Sequence, residues 1–242
     1  MNYFRQMHKV KLFVQKLTAY HGENVFNPWA DFDPDYDVAY ARSIRKAQLE
    51  RYLVRRLGTA RILLIAEACG YQGGRFTGIA MTCERMMLSL HPDINAKMVI
   101  GVPGRRTSRA GSPFLPKEIQ RRQGFNEPTD TVVWNAALRA GLAPEEFILW
   151  NIFPFHPHKE GQMLTNRTPT DAELASGLSY AKELLRLTGP LPIFAIGKKS
   201  ETTLQNAGFS VTGLRHPANG GANIFREGLY DALQQKGIAA AE

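Results

Sequence analysis

The stretch RILLIAEACGYQGGRFTG, residues 61–78, decides the fold of this chain. Its apolar run from Ile62 to Ala66 leads into a carboxylate, Glu67, and then into a loop with four glycines, Gly70, Gly73, Gly74 and Gly78. A continuous apolar run that ends at glycines is typical of a buried parallel strand. Open α/β sheets bind their ligands at the carboxyl ends of such strands, so functional residues are expected here. The same residues would also suit a polar strand end followed by a flexible turn.

The rest of the chain alternates predicted strands with predicted helices, which indicates an α/β fold with a mostly parallel sheet. Strands are predicted at 62–66, 147–152, 191–196 and 209–214, with a further short strand at 97–102. Helices are predicted at 1–20, 39–57, 79–90, 131–142, 198–207 and 224–235, and at 170–187, where Thr170 and Glu173 form a capping-box signature. The basic, glycine- and proline-rich segment 104–127 is predicted to be a long surface loop.

Composition narrows the function classes. The chain has 242 residues and a formal net charge of +8, which favours a polyanionic partner such as nucleic acid. Cys69 and Cys83 are the only cysteines, too few for a four-thiolate metal or iron–sulfur site. No signal-peptide core and no uninterrupted apolar stretch of about 18 residues is present, so we expect an intracellular protein with no membrane partner.

Three polar residues lie at the carboxyl ends of separate predicted strands. Glu67 follows the first strand, Asn151 lies at the end of FILWNI, and His216 follows the last strand. Parallel strands bring their carboxyl ends to one edge, so we expect these side chains to converge on one site. Taken singly, each residue also has a simpler interpretation, the Asn as a backbone-capping residue and the His as an ordinary core or surface residue.

The order of these motifs resembles the uracil-DNA glycosylase superfamily, most closely its thermophile-type branch. AEACG at 66–70 stands where that branch has Gly-Glu-Ala-Pro-Gly, and Phe76-Thr77-Gly78 stands for its Phe-x-Gly. The strand that ends in Asn151 leads to NRTPTDAE at 166–173, and the last motif is His216-Pro217-Ala218. The resemblance covers about residues 60–230.

The chain also departs from that branch. Ala66 replaces the first glycine of the motif, Cys69 replaces its proline, and the four cluster-binding cysteines are missing. The departures leave two alternatives open: a divergent or altered-specificity enzyme, and a catalytically silent DNA-binding member of the same fold. A third alternative takes the glycines at 70–78 as a phosphate cradle for a free nucleotide, although no Gly-Lys-Ser/Thr signature is present.

The resemblance implies a three-layer α/β/α fold around a central, mostly parallel four-stranded sheet. It implies that residues 59–242 form the glycosylase-like domain and that residues 1–58 are an N-terminal helical extension packed on it. The implied activity is that of a monofunctional DNA glycosylase removing uracil, or another deaminated base, during base excision repair. We expect a monomer, associated with the nucleoid, that flips the damaged base of DNA into a pocket and needs no metal or organic cofactor.

The resemblance also assigns roles to residues. Glu67 would orient and deprotonate the attacking water, and His216 would donate a hydrogen bond to uracil O2. Ala68, Phe76 and Asn151 would bind the base, with Phe76 stacked on the flipped ring. An Asn side chain can pair with N3–H and O4 of uracil, whereas cytosine presents the reversed pattern.

DNA contacts are expected from basic residues and from the small-residue loop after His216. The candidates are Arg105, Arg106, Arg109, Lys198, Lys199, Pro217, Ala218, Asn219 and Gly220, with Arg121 and Arg122 as further phosphate contacts. Ile224 or Phe225 would fill the gap that the flipped base leaves. Tyr71 is a candidate for excluding a 5-methyl group. His156 and His158 flank Pro157 without a third ligand at suitable spacing, so we do not expect a metal there.

Overall fold

The computed structural model describes residues 3–238, so the predictions for residues 1, 2 and 239–242 lie outside it. The helices are α1 Tyr3–Thr18, α2 Ala41–Val54, α3 Gly74–Thr77, α4 Glu84–Met87, α5 Ala96–Ile100, α6 Glu118–Gln123, α7 Pro128–Arg139, α8 Asp171–Thr188, α9 Lys198–Asn206 and α10 Ala222–Gln235. The strands are β1 Val25–Phe26, β2 Ile62–Ala68, β3 Phe147–Phe153, β4 His156–Pro157, β5 Ile193–Ile196 and β6 Val211–Leu214. No helix among these residues is long and apolar enough to cross a membrane.

The main sheet is parallel and has the strand order β3-β2-β5-β6. Leu64 of β2 lies opposite Phe194 of β5, and Ala195 of β5 lies opposite Gly213 of β6. Helices flank the sheet, so the predicted α/β fold with a four-stranded parallel sheet is confirmed. The short strands β1 and β4 form a separate antiparallel pair.

The described chain divides into two compact, interleaved units. The first unit comprises residues 1–55, 68–127 and 155–168, and the second comprises 56–67, 128–154 and 169–242. The second unit contains β3, β5, β6 and nearly all of β2, and therefore almost the whole main sheet. The chain passes from one unit to the other at each boundary between these ranges.

Helix α8 covers β3 in the second unit. All seven residues of β3 are buried, as its continuous apolar sequence predicts. A Cβ atom built on Gly177 of α8 would lie 2.2 Å from the carbonyl oxygen of Ile152, so only glycine allows this approach of helix to strand. The predicted capping box starts α8: the Thr170 hydroxyl accepts from the Glu173 N–H, and the Glu173 carboxylate accepts from the Thr170 N–H.

Three local predictions between residues 79 and 127 are wrong. The strand expected at 97–102 is helix α5, which begins after Asn95, whose side chain accepts from the Met98 N–H at 3.2 Å. The helix expected at 79–90 is limited to the four residues of α4, and Met81 just before it has a left-handed φ of 46°. The loop expected at 104–127 contains α6 and buries Leu115 and Phe125 completely.

Candidate active site

The carboxyl edge of the main sheet carries three predicted site residues, all within the second unit. Glu67 is the penultimate residue of β2, and Asn151 lies in the last half of the neighbouring strand β3. His216 follows the end of β6 by two residues. The strand order therefore places all three residues on the same edge of one sheet, β3 beside β2 and β5 between β2 and β6.

Glu67 is half-buried and has an unsatisfied oxygen. Its Oε1 atom is inaccessible to solvent and makes no hydrogen bond with any described residue. Burial raises the pKa of this carboxyl, and the positive charge of Lys199 acts in the opposite direction. A carboxylate that is short of hydrogen-bond donors is a stronger proton acceptor than one on the surface, which suits a general base.

His216 is held in one tautomer by its own loop. Its Nδ1 atom accepts a hydrogen bond from the backbone N–H of Ala218 at 3.1 Å, so the proton of the neutral ring is on Nε2. Burial lowers the pKa of this imidazole, and Arg215 lowers it further. His216 is therefore a neutral ring whose Nε2–H makes no hydrogen bond with the described residues and is available as a donor.

The loop after His216 is tightly wound. A Cβ atom on Gly221 would lie 2.1 Å from the carbonyl oxygen of His216, and Asn219 and Gly220 have left-handed φ angles of 53° and 75°. The residue after β5 also holds the backbone that leads to His216. The Gly197 N–H donates to the carbonyl oxygen of Leu214 at 2.8 Å, two residues before His216. The backbone around His216 is thus fixed from both sides.

Asn151 is almost completely buried, with 2% of its surface exposed. The approach of α8 at Gly177 fixes the backbone of the next residue, Ile152. A buried amide on a rigid strand has a defined orientation, which is what reading a donor–acceptor pattern requires.

Phe76 lies in the first unit and is fully buried within a stack of four side chains. Its ring stacks on Phe125 with centroids 4.3 Å apart and an interplanar angle of 14°. The guanidinium carbon of Arg75 lies 4.1 Å from the centroid of Phe76 and 4.2 Å from that of Phe26. Two neighbours this close to one ring must occupy its opposite faces. Neither face of Phe76 is therefore open in this structure.

A buried ion network holds Arg75 in place. Asp37 accepts from Arg75 at 2.6 Å and from Arg45 at 3.0 Å, and all three side chains are completely inaccessible to solvent. Asp33 is a second acceptor for Arg75 at 3.3 Å. Burial lowers the pKa of Arg45, whereas Asp37 raises it. Sequence analysis missed this network, because the carboxylates that pair with Arg75 lie 38 and 42 residues away in the chain.

Residues before position 58 also bind the backbone of the glycine loop. The Trp29 indole N–H donates to the carbonyl oxygen of Gly78 at 3.2 Å, and the Gln48 amide donates to that of Thr77 at 2.9 Å. A Cβ on Gly78, which has a left-handed φ of 74°, would lie 2.8 Å from the carbonyl oxygen of Arg45. The N-terminal segment therefore fixes the loop that follows β2.

Ala68 and Cys69 begin the first unit's part of this motif. Ala68 ends β2, and Cys69 is a buried free thiol. The buried His156 ring contacts the carbonyl oxygens of Cys69 at 3.1 Å and Met163 at 3.0 Å, and burial lowers its pKa to about 4. Residues 3–238 contain no group of three or more His, Cys, Asp or Glu that could hold a metal ion.

The predicted DNA-binding residues differ in how freely their side chains can act. Arg106 uses its guanidinium on the chain itself, on Ser108 and on the carbonyl oxygens of Gln120 and Arg121, so the structure makes it a structural residue instead of a phosphate contact. Arg105 and Arg109 are exposed. Arg109 donates to the Asp35 carbonyl oxygen, and Arg121 to that of Leu115.

Residues of the second unit offer further exposed contacts. Lys198 pairs with Glu201 at 3.0 Å and Lys199 with Asp171 at 3.2 Å, both near the surface. Of the two candidates for filling the gap in DNA, Ile224 is 58% exposed and Phe225 is fully buried. Phe225 therefore belongs to the core, and the alternative that names it is wrong.

Comparison with known proteins identifies the superfamily of this chain and agrees with its fold. The model of the uracil DNA glycosylase superfamily matches residues 90–233, more than half of the chain, and the chain therefore belongs to this superfamily. The fold is similar to the crystal structure of wild-type Pedobacter heparinus SMUG2, with a TM-score of 0.64 and 15% sequence identity, over 96% of this chain and 98% of that one. No curated protein sequence matches the chain significantly.

Proposed function

We propose that this protein is a monofunctional DNA glycosylase that hydrolyses the N-glycosidic bond of uracil, or of another deaminated base, in DNA. One observation carries the proposal: a buried, unsatisfied carboxylate oxygen of Glu67 and a free Nε2–H of His216 lie at one edge of one sheet. The first is a proton acceptor and the second a proton donor, which are the two groups that this hydrolysis needs.

Glu67 acts on the nucleophile. A water molecule attacks C1′ of the deoxyribose while its proton passes to the Glu67 carboxylate. The bond from C1′ to the base breaks, and its electron pair leaves with the base as an anion. General-base assistance of this kind contributes about 10²–10⁴ in rate.

His216 acts on the leaving group. Its Nε2–H donates to O2 of the departing uracil, where negative charge develops. A neutral donor is sufficient, and the Ala218 N–H fixes the required tautomer. A positioned donor at a developing anion is worth about 10²–10³ in rate.

Asn151 supplies selectivity for the base. Its carbonyl oxygen accepts from N3–H of uracil, and its amide donates to O4. Against cytosine both contacts would place like groups together, at a cost of about 1–3 kcal/mol for each unpaired polar group. The burial and rigid strand position of Asn151 support this role.

The substrate is DNA whose target base leaves the stack, at a cost of a few kcal/mol. The exposed side chain of Ile224 would occupy the gap, and the loop 217–220 with Lys198 and Lys199 would contact phosphates. The positive net charge supports such contacts, which make binding weaker as salt concentration rises.

The direct test is base release from synthetic oligonucleotides. Purified protein is incubated with single- and double-stranded DNA containing one uracil, hypoxanthine or xanthine, and abasic sites are detected by alkaline cleavage. The expected result is cleavage at one or more of these bases, lost in Asn151→Ala for uracil. A folded protein that releases none of the three bases contradicts the proposal.

A second candidate function, DNA binding without turnover, is favoured by one observation. Both faces of the Phe76 ring are covered, by Phe125 and Arg75, so this ring cannot stack on a flipped base without rearrangement. A gel-shift assay run beside the cleavage assay separates the two candidates. Salt-dependent DNA binding without release of any base supports the silent binder.

A further inference from the structure

A groove in the first unit has no part in the chemistry described above. It runs between one face of α2 and the segment that follows α5, and has a volume of about 440 Å³. It is lined by Tyr40, Ser43, Ile44, Ala47, Gln48, Arg51, Ile100, Val102, Pro103 and Arg105. We propose that this groove binds a nucleotide unit of single-stranded DNA, with its phosphate on the two arginines and its base on the apolar wall.

The two arginines of the groove differ from three other arginines of the first unit, whose guanidinium groups are used within the chain. Arg45, Arg75 and Arg106 donate to carboxylates or backbone carbonyls of the chain. The exposed guanidinium groups of Arg51 and Arg105 make no hydrogen bond or ion pair with any residue from 3 to 238, although Arg51 lies near the carboxyl of Glu50. Their donors are available for an external anion. One guanidinium group can donate to two oxygens of a phosphate at once.

The groove also offers surfaces for a flat ring. Tyr40, one of the lining residues, is 73% exposed, so its ring is accessible to a ligand. The buried side chains of Ile44 and Ile100 give the groove an apolar floor, and Pro103 also lines it. Gln48 is not available to the ligand, because its amide and carbonyl bind Thr77 and the Arg105 backbone N–H. Free cations beside an aromatic ring and an apolar floor match the phosphate and the base of one nucleotide.

A single strand fits these features better than a duplex does. Bases in a duplex cover one another's faces, so a protruding tyrosine has nothing to stack on, whereas an unpaired strand exposes every base face. The formal charge of +8 adds general attraction for the phosphodiester chain. This groove would hold a strand whether or not the protein releases a base.

The test measures binding of a fluorescent oligothymidylate without uracil, so that failure of glycosylase activity cannot affect it. Anisotropy titrations compare the wild type with Tyr40→Ala and with the double variant Arg51→Gln/Arg105→Gln. The control is Arg139→Gln/Lys236→Gln, which removes the same charge from exposed positions on other elements. All substituted side chains are exposed, and thermal denaturation verifies that each variant is folded.

Tyr40→Ala is expected to weaken binding at least fivefold, because a base that loses its aromatic partner loses its stacking. The double arginine variant is expected to weaken it about tenfold and to lower the slope of log K against log salt by about 0.7, the contribution of the one phosphate that both arginines contact. The control should change affinity by less than twofold.

Equal binding by the wild type and both groove variants would overturn the proposal. Groove variants that lose binding to a duplex of the same length but bind the single strand as the wild type does would overturn it as well. Thymidine monophosphate serves as a competitor that separates a free nucleotide from a strand. Saturation by the monophosphate without measurable oligothymidylate binding would assign the groove to free nucleotides and overturn the assignment to DNA.

Discussion

The carboxyl edge of the main sheet and the glycine loop after β2 treat their polar groups in opposite ways. At the sheet edge, Glu67 Oε1 has no hydrogen-bond partner and His216 Nε2–H is free. In the glycine loop, Arg75 has two carboxylate partners, and the carbonyl oxygens of Thr77 and Gly78 are both bonded. Unsatisfied polar groups cost stability. A free acceptor and a free donor at the sheet edge are suited to meet a substrate, whereas the glycine loop, in which Arg75 Nε lacks a partner but both terminal nitrogens of Arg75 are paired, is bonded as a support.

Glu67→Gln breaks the first half of this comparison most directly. The substitution keeps the shape and removes the proton acceptor, so base release should fall by about 10²–10⁴ while the fold persists. Single-turnover cleavage of a uracil oligonucleotide measures the effect. Glu227→Gln, the same change on an exposed face of α10, is the control and should retain full activity. Near-normal rates in Glu67→Gln would exclude this residue as the base.

Asp37→Asn tests the other side of the comparison, the glycine loop as a support. It removes the carboxylate that Arg45 and Arg75 share, which leaves the buried Arg45 without its carboxylate partner and Arg75 with Asp33 alone. The free energy of unfolding should fall by about 3–5 kcal/mol in urea titrations. The neighbouring exposed Asp35→Asn should change it by less than about 0.5 kcal/mol. Equal stability of the two variants would show that the network is not a support.

His216→Ala sharpens the assignment of the donor at the sheet edge. Without the Nε2–H, the departing base loses its positioned donor, and single-turnover release should slow by about 10²–10³. The exposed His21→Ala should cleave at the wild-type rate. If His216→Ala binds the substrate more weakly but releases the base at the wild-type rate once the substrate is bound, His216 does not act on the leaving group.

Two helix glycines separate close packing from ordinary helix preference. Gly177→Ala would place a methyl group 2.2 Å from the Ile152 carbonyl oxygen and should lower the free energy of unfolding by about 1–3 kcal/mol. Gly228→Ala meets only Leu214, at 3.7 Å, and should raise it by up to about 1 kcal/mol through better helix propensity. A gain in stability in Gly177→Ala, like that expected of Gly228→Ala, would contradict the tight approach of α8 to β3.

The smallest expected effect is a pH-dependent gain in stability from Glu67→Gln. Because burial raises the pKa of Glu67 in the folded state, ionising this carboxyl disfavours folding. The variant should therefore melt higher than the wild type at neutral pH. The gain should vanish as the pH falls below the pKa of an unfolded glutamate, where the wild type is protonated in both states. A gain that persists unchanged in acid would have another origin.

The sheet and its site edge could be predicted because their signals are local. An apolar run ended by glycines marks β2, a capping box marks α8, and polar residues after strands mark one sheet edge. The helix α5 was missed because its apolar residues suit a strand equally well; in the structure the side chain of Asn95 caps its start.

The buried charges could not be predicted in the same way. Glu84 is 1% exposed because its carboxylate accepts from the backbone N–H groups of Thr107 and Ser108 and from the Ser108 hydroxyl, more than 20 residues away. The same contacts hold the segment 104–127, which its composition predicts to be a free loop. Which charge is buried depends on partners that no local pattern names.

The interleaving of the two units has a consequence for how this protein can be dissected and how it can change. Each unit is assembled from three separate stretches of the chain, so no single cut, truncation or gene fusion yields either one whole. A fragment that begins at residue 59 keeps the sheet but loses Asp37, Trp29 and Gln48. Transfer of either unit to another protein would therefore require three separate segments to be moved together.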